Sequence, residues 1–171
     1  MTVQVRPRVA SDDRIIRDMV GDSWGGTMVV SRGRLHDALL LPGFIATDGG
    51  RTVGVVTYRV HEGASPPRGE LEMEVVTIDA AVRRRGIGSS LLKAAITQAM
   101  RENCRRVWLV TTNDNVVAQR FYTRNGMTLA AVHVGAMDRS RALKPGIPLH
   151  ADDGTPIRDE WEYELNLDPV G

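Results

Sequence analysis

With 171 residues, 42% of them hydrophobic and 25% charged, the chain has the size and composition of one soluble globular domain able to bury its own core. It contains no apolar run of membrane-spanning length. Its formal charge of +1 supplies no broad cationic field for nonspecific nucleic-acid binding. These numbers speak against a membrane protein and leave nucleic acid only as a local target.

The first residues, Met1 to Val5, lead into polar sequence rather than the charged-then-apolar order of a secretory signal, so the expected compartment is the cytoplasm. Cys104 stands alone, which rules out an intrachain disulfide framework and reads as a buried small hydrophobe rather than a nucleophile. His36, His61, His133 and His150 lack the short spacing that brings two imidazoles to one ion, so no metal is expected.

In chain order, Thr2 to Val5 alternates like a short strand. Ser11 then precedes Asp12, Asp13 and the stripe Ile15, Ile16, Met19, Val20, the pattern of a capped amphipathic helix. Gly25 to Gly43 has poor periodicity, with Leu35, Ala38 and Leu39 able to share one helical face before Pro42-Gly43 stops it. Phe44 to Thr47 and Thr52 to Val60 flank Asp48-Gly49-Gly50 and predict a hairpin. Gly63 to Arg68, with two prolines, is loop.

Glu70 to Ile78 begins as strict alternation of Glu70, Glu72 and Glu74 against Leu71, Met73 and Val75 and ends as an apolar run, which predicts a strand half exposed at its start and buried at its end. Ile87, Leu91, Ala95 and Ala99, with Leu92, Ile96 and Met100 beside them, predict a strong helix. Arg106 to Thr111 follows as a strand, parallel to the one before the helix. Asn113-Asp114-Asn115 offers caps for a helix from about Val116 to Asn125, stopped at Gly126. Thr128 to Val134 is a strand and Asp138 to Leu143 helix-like. Glu160 to Leu167 is a final strand alternating Trp161, Tyr163 and Leu165 against charges.

The turn Arg83-Arg84-Arg85-Gly86-Ile87-Gly88 joins a buried strand to the strongest helix. Its glycines let backbone approach a ligand, the helix start directs unpaired N–H groups at it, and guanidinium groups pair phosphate oxygens. A dinucleotide fingerprint would need a third glycine and a later acidic residue, and a P-loop would need Gly-Lys-Ser/Thr; neither is present. On its own the pattern leaves both a phosphate cradle and a solvated corner open.

A second pattern, Asn115, Ala118, Phe121-Tyr122 and Gly126-Met127, follows one strand later. Together the two resemble the GCN5-related N-acetyltransferase (GNAT) family, whose Arg/Gln-x-x-Gly-x-Gly/Ala pattern is matched by Arg83, Gly86 and Gly88. The core of the resemblance covers about Leu71 to Met127. The runs Val107 to Asn115, Leu143 to Leu149 and Gly154 to Glu160 extend it to a little-described bacterial branch of the family.

The resemblance implies a mixed α/β fold, with a central mostly antiparallel sheet, two splayed parallel strands (about 70–78 and 106–111) and flanking helices. It implies one acyltransferase domain over residues 1–171, with an atypical extension at about 138–171. The implied activity is transfer of acetyl from acetyl-CoA, a cosubstrate, to a primary amine in a ternary complex. Arg83, Arg84, Arg85, Gly86, Ile87, Gly88 and Ser89 would cradle the CoA pyrophosphate. Val76 N–H would donate to the thioester oxygen, and the backbone of the strand carrying Val76 and Ile78 would pair with the pantetheine arm. Asn115 would contact the same arm.

Glu72 or Glu74 would serve as base, directly or through water, where the alternative is a solvated strand edge. Tyr122 would protonate the departing thiolate, where the alternative is a packing aromatic. The tail from Asp138 to Asp159 would wall an acceptor site, with Arg139, Arg141, Lys144 and Arg158 as contacts for an acidic acceptor, or would build a homodimer. Two further readings stand beside this one: a CoA-binding module without turnover, and an acyltransferase using another acyl-CoA or a hydroxyl acceptor.

Overall fold

A computed structural model describes residues 2–64, 69–83 and 85–167. Most of the loop expected over Gly63 to Arg68, together with Arg84 of the arginine turn, lies outside the described residues. In chain order the elements are β1 (Val3–Pro7), α1 (Asp13–Trp24), β2 (Met28–Ser31), β3 (Arg34–Asp37), β4 (Gly43–Asp48), β5 (Arg51–Glu62) and β6 (Leu71–Ala80). They continue with α2 (Ile87–Arg101), β7 (Arg106–Thr112), α3 (Val116–Arg124), β8 (Thr128–His133), α4 (Ala136–Leu143) and β9 (Glu160–Asn166). No helix among the described residues is long and apolar enough to cross a membrane.

The chain forms two compact units. The first takes the residues up to Val29, Asp37–Val107 and those from Asn166, and the second takes Val30–His36 and Trp108–Leu165. In the first unit, β1, β4, β5 and β6 follow one another as an antiparallel sheet. The hairpin between β4 and β5 turns at Gly49-Gly50, as the turn chemistry predicts. Arg105 N donates to Leu71 O at 2.8 Å, so β6 and β7 start side by side and run the same way, as a strand–helix–strand unit requires. In the second unit β9 lies between β7 and β8 and pairs antiparallel with β8. The fold is the expected mixed α/β class, mostly antiparallel with one parallel pair and flanked by helices.

Helices cover both faces of the first unit's sheet. Neighbouring residues of a strand point to opposite faces. Gly54 approaches Ile87 and Leu91 of α2, whereas Val55 packs with Ile16 and Val20 of α1, Val29, Ala38, Ile45 and Val76. The face of α2 made by Ile87, Leu91, Leu92, Ala95 and Ala99 is buried, as its four-residue repeat predicts.

Three expectations need correction. Gly25 to Gly43 is not helical: it holds β2, β3 and a single 3-10 turn at Ala38–Leu40 whose start is capped by Asp37. Strands this short leave too few residues to show a period. The helix after Ser11 starts at Asp13. Asp12 rather than Ser11 organises its entry, accepting from Val9 N at 2.8 Å and taking a two-pronged contact from Arg6 at 2.8 Å. β6 is buried from Glu72 to Thr77, and β9 buries Glu160 and Glu162 as well as Tyr163. The alternation of charged and apolar residues therefore did not mark solvent-facing charges; each of these glutamates meets a cationic or histidine partner.

Two measurements check the packing. A Cβ on Gly43 would fall inside contact distance of the Val56 carbonyl in the β4–β5 pair, so Gly43→Ala is expected to lower unfolding free energy by about 1–3 kcal/mol in denaturant titration; an unchanged midpoint would contradict this register. Cys104 is buried, and burial, aided by the charges of Glu102 and Glu72, pushes its thiol up to about 11. A thiol-specific reagent at pH 8 should label it only after denaturation, and rapid labelling of the folded protein would show that the site opens.

Candidate functional site

The expected chemistry of the first unit is concentrated on β6 and the turn that follows it. Along β5 and β6 the pairing runs His61 with Glu72, Arg59 with Glu74, and Tyr58 with Val75, then shifts so that Thr57 faces Thr77. Val76 is the extra residue, a β-bulge. A bulge leaves one residue out of the regular ladder and bends the strand. Because β5 alternates regularly from Val55 to His61, Thr57, Arg59 and His61 share one face, and their partners Thr77, Glu74 and Glu72 share it too. It is the face on which Val55 and Val76 meet α1. Glu72 and Glu74 are thus on one side of the strand just before Val76, as their spacing predicts.

These carboxylates are not a solvated edge. Glu74 is 0% exposed and pairs with Arg59 Nε at 2.5 Å. Glu72 is 2% exposed, takes hydrogen bonds from Arg105 Nε at 2.9 Å and from Arg105 Nη2, and meets Arg106 Nε at 3.0 Å. Burial by itself would raise the Glu72 carboxyl, but the Arg105 hydrogen bonds and the charge and hydrogen bond of Arg106 outweigh it and hold the group below its ordinary value. Glu72 is therefore a permanent carboxylate at neutral pH. Glu70, left as surface by the sequence, is exposed and reaches Arg105 at 3.4 Å.

At the far end of β6 comes the arginine–glycine turn. Gly86 has φ 73° as the residue preceding α2, a conformation that a side chain disfavours. The first helical backbone bond is Ser90 N to Gly86 O at 2.9 Å, so the amides of Ile87, Gly88 and Ser89 precede the helix's own ladder and carry the positive end of its dipole. Arg83 and Arg85 flank this turn in the chain. Just ahead of it, Asp79 accepts from Trp24 Nε1 at 3.1 Å, and burial pushes its carboxyl up against the opposing hydrogen bonds of Ser23 and Trp24.

In the second unit, Asn115 caps α3, its Oδ1 accepting from Ala118 N at 3.1 Å. Tyr122 is buried, edge-on to Phe121 at 5.4 Å between ring centres and tilted against Tyr163 at 5.8 Å. The tail is held in place through Asn113. Its side chain donates to Pro156 O at 2.9 Å and accepts from the amides of Arg158 and Asp159. Arg141 donates to the carbonyls of Pro148 at 2.7 Å and Ile157 at 2.5 Å, so this arginine staples the tail. The segment borders an open pocket of about 320 Å³ that Arg158 and His150 help to line.

Three residues that the sequence reading passed over are the arginine partners Arg59, Arg105 and Arg106. For two of them a signal was present. In a parallel strand–helix–strand unit the two strand starts are neighbours, which sets Arg105-Arg106 beside the glutamates that open β6.

A profile of the Acetyltransferase (GNAT) family matches residues 21–127. Two Bacillus subtilis (strain 168) proteins, uncharacterized protein YxbD and uncharacterized protein YdhI, are 34% and 33% identical to the chain. The first match covers 80% of this chain and 82% of the relative, and the second 90% and 92%. Among solved structures, Arabidopsis thaliana NAA60 in complex with acetyl-CoA aligns over 97% of this chain and 100% of its own with a TM-score of 0.69 at 18% identity, a likeness of fold. The profile spans more than half of the chain and the two bacterial relatives match most of it: the chain belongs to the GNAT acetyltransferase family.

Proposed function

We propose that this acetyltransferase moves the acetyl group of acetyl-CoA onto a primary amine by direct attack in a ternary complex, working as one domain over residues 1–171. The observation that carries the reading is the bulge at Val76, set in the same strand–helix unit as the glycine-led start of α2. A bulge disrupts the ladder locally, and a Val76 N–H released there is a donor to the thioester oxygen as charge builds on it. The backbone around Ile78 takes the pantetheine arm. The amides of Ile87, Gly88 and Ser89 hold the pyrophosphate at the dipole's positive end, with Gly86 supplying the turn and Arg83, Arg84 and Arg85 the added charge. The acetyl-CoA bound to NAA60 supports the choice of cosubstrate.

Asn115 has one side-chain oxygen committed to its cap, which leaves its NH2 group as the donor to the CoA arm. Tyr122 is the proposed acid for the departing thiolate. The amine poses the larger demand. With a pKa of about 10.4 it is neutral in roughly one molecule in two thousand at pH 7, a factor equivalent to about 4 kcal/mol. Glu72 and Glu74 occupy the strand and face expected of a base, yet each already holds an arginine. Their role as base is then indirect: the amine's proton leaves to one of them through water rather than by direct contact.

Those same ion pairs favour a second reading, in which the chain holds CoA without turnover. A thiol-release assay across a broad amine panel separates the two. Release of free CoA with at least one amine supports transfer, whereas a CoA-induced rise in melting temperature with no release from any amine supports the silent module. CoA at about a hundred times its dissociation constant should stabilise the fold by about 2.7 kcal/mol, and the absence of both a thermal shift and measurable binding would contradict either version.

Two substitutions probe the parts separately. Gly86→Val meets open space but a disfavoured φ, so it should weaken CoA binding roughly tenfold or more while the protein stays folded; unchanged affinity would return the turn to a structural role. Tyr122→Phe should lower kcat by roughly ten- to a hundredfold with CoA affinity retained, since a thiol of pKa near 8.5 needs only modest help to leave. Full turnover in that variant would make Tyr122 a packing residue.

A further inference from the structure

Thr57 and Thr77 face each other across β5 and β6. Their hydroxyl oxygens lie 2.7 Å apart, and the two residues are 0% and 1% exposed. Each threonine carries one O–H, so one hydrogen closes this contact and the other is left over. Among the described residues neither hydroxyl has a further partner. Valine already fills the flanking buried positions Val55, Val56, Val75 and Val76. Replacing both partners of a buried neutral hydrogen bond by apolar groups of the same shape is close to neutral for stability, so packing alone leaves the two hydroxyls unexplained.

Their place in the sheet gives them a use. The neighbouring row on the same face is Arg59 with Glu74, and the bulged Val76 directly precedes Thr77. Successive same-face positions of a strand are about 7 Å apart, a step that one water spans with hydrogen bonds of about 2.8 Å on each side. A buried water requires roughly two to four polar partners. The spare hydroxyl hydrogen is a donor to it. A carboxylate has about four lone-pair sites, so Glu74 can accept from a water while it holds Arg59. Glu72 sits one row farther from Val76, beside Arg105 and Arg106.

We propose that the Thr57–Thr77 hydroxyl pair holds the water through which the acceptor amine's proton reaches Glu74. The inference rests on the transfer reaction proposed above and assigns its indirect base to one of the two glutamates. One proton leaves the ammonium through this water to Glu74 and on to solvent. The neutral nitrogen then bonds to the acetyl carbon, and the C–S bond breaks with its electron pair on sulfur. The nitrogen's second proton offsets the one that the thiolate takes up. Thr57 and Thr77 are positioning residues in this scheme, since they act through the water.

The test follows thiol release from acetyl-CoA across a range of pH, with an amine that the wild-type protein acetylates. The double variant Thr57→Val with Thr77→Val should keep its denaturation midpoint yet lose roughly ten- to a hundredfold in kcat near neutral pH, with the KM for acetyl-CoA unchanged. The deficit should shrink toward a pH of about 10, where much of an amine with a pKa of about 10.4 is neutral without help. Thr77→Ser, which keeps the hydroxyl, should regain most of the turnover. Wild-type kcat in the double variant, or a deficit that is the same at every pH, overturns the inference and leaves transfer itself standing. A lowered midpoint in the double variant would make the pair structural and overturns it equally. Failure of the wild-type protein to release CoA with any amine overturns the transfer reading and this inference together.

Discussion

Glu72 and Glu74 are carboxylates taken almost wholly out of water on β6 of the first unit, and the packing around them follows from that. Removing an unpaired carboxylate from water costs several kcal/mol even after relaxation, so β6 holds its place only with Arg59 on one neighbouring strand and Arg105 and Arg106 at the start of the other. The pairs do more than cancel charge. They fix the start of β6 against both neighbours at once, and Val76 leaves the regular ladder only two residues beyond Glu74. Breaking one partner of such a pair leaves an uncompensated buried charge, which is why these positions tolerate change poorly whatever their part in chemistry.

A second constraint lies at the other end of the same strand. The chain must leave β6 and enter α2 through Gly86 in the left-handed region, so that the helix begins with three amides outside its own ladder. One strand thus carries a distorted backbone in its middle and leads to an anion-friendly helix start at its end. The helix start offers backbone N–H groups without depending on a particular side chain.

How much of this was readable from sequence depended on whether a feature was local. The β4–β5 hairpin, α2 and the cap of α3 are written in neighbouring residues: Gly49-Gly50 between β-formers, a four-residue apolar repeat, and Asn115 three positions before the amide it accepts from. The Val76 bulge left no mark in the composition, because it is a property of the pairing between two strands. The burial of Glu72, Glu74, Glu160 and Glu162 was not legible for a related reason. A glutamate in an alternating strand looks solvent-facing until its partner is known, and Arg32 stands 128 residues from the Glu160 it meets. The same holds for Arg141, which reads as a spare cation and proves to be the staple of the tail. The short strands β2 and β3 had too few residues to announce themselves.

The claim on which the account rests is that backbone amides of β6 and of the α2 start receive CoA. Amide NMR of the isotopically labelled protein during a titration with CoA tests it most directly, since each N–H reports its own contact. The account predicts that the largest shifts fall on Val76, Ile78, Gly86, Ile87, Gly88 and Ser89. Saturable binding that leaves those amides unmoved and perturbs a different set would contradict it.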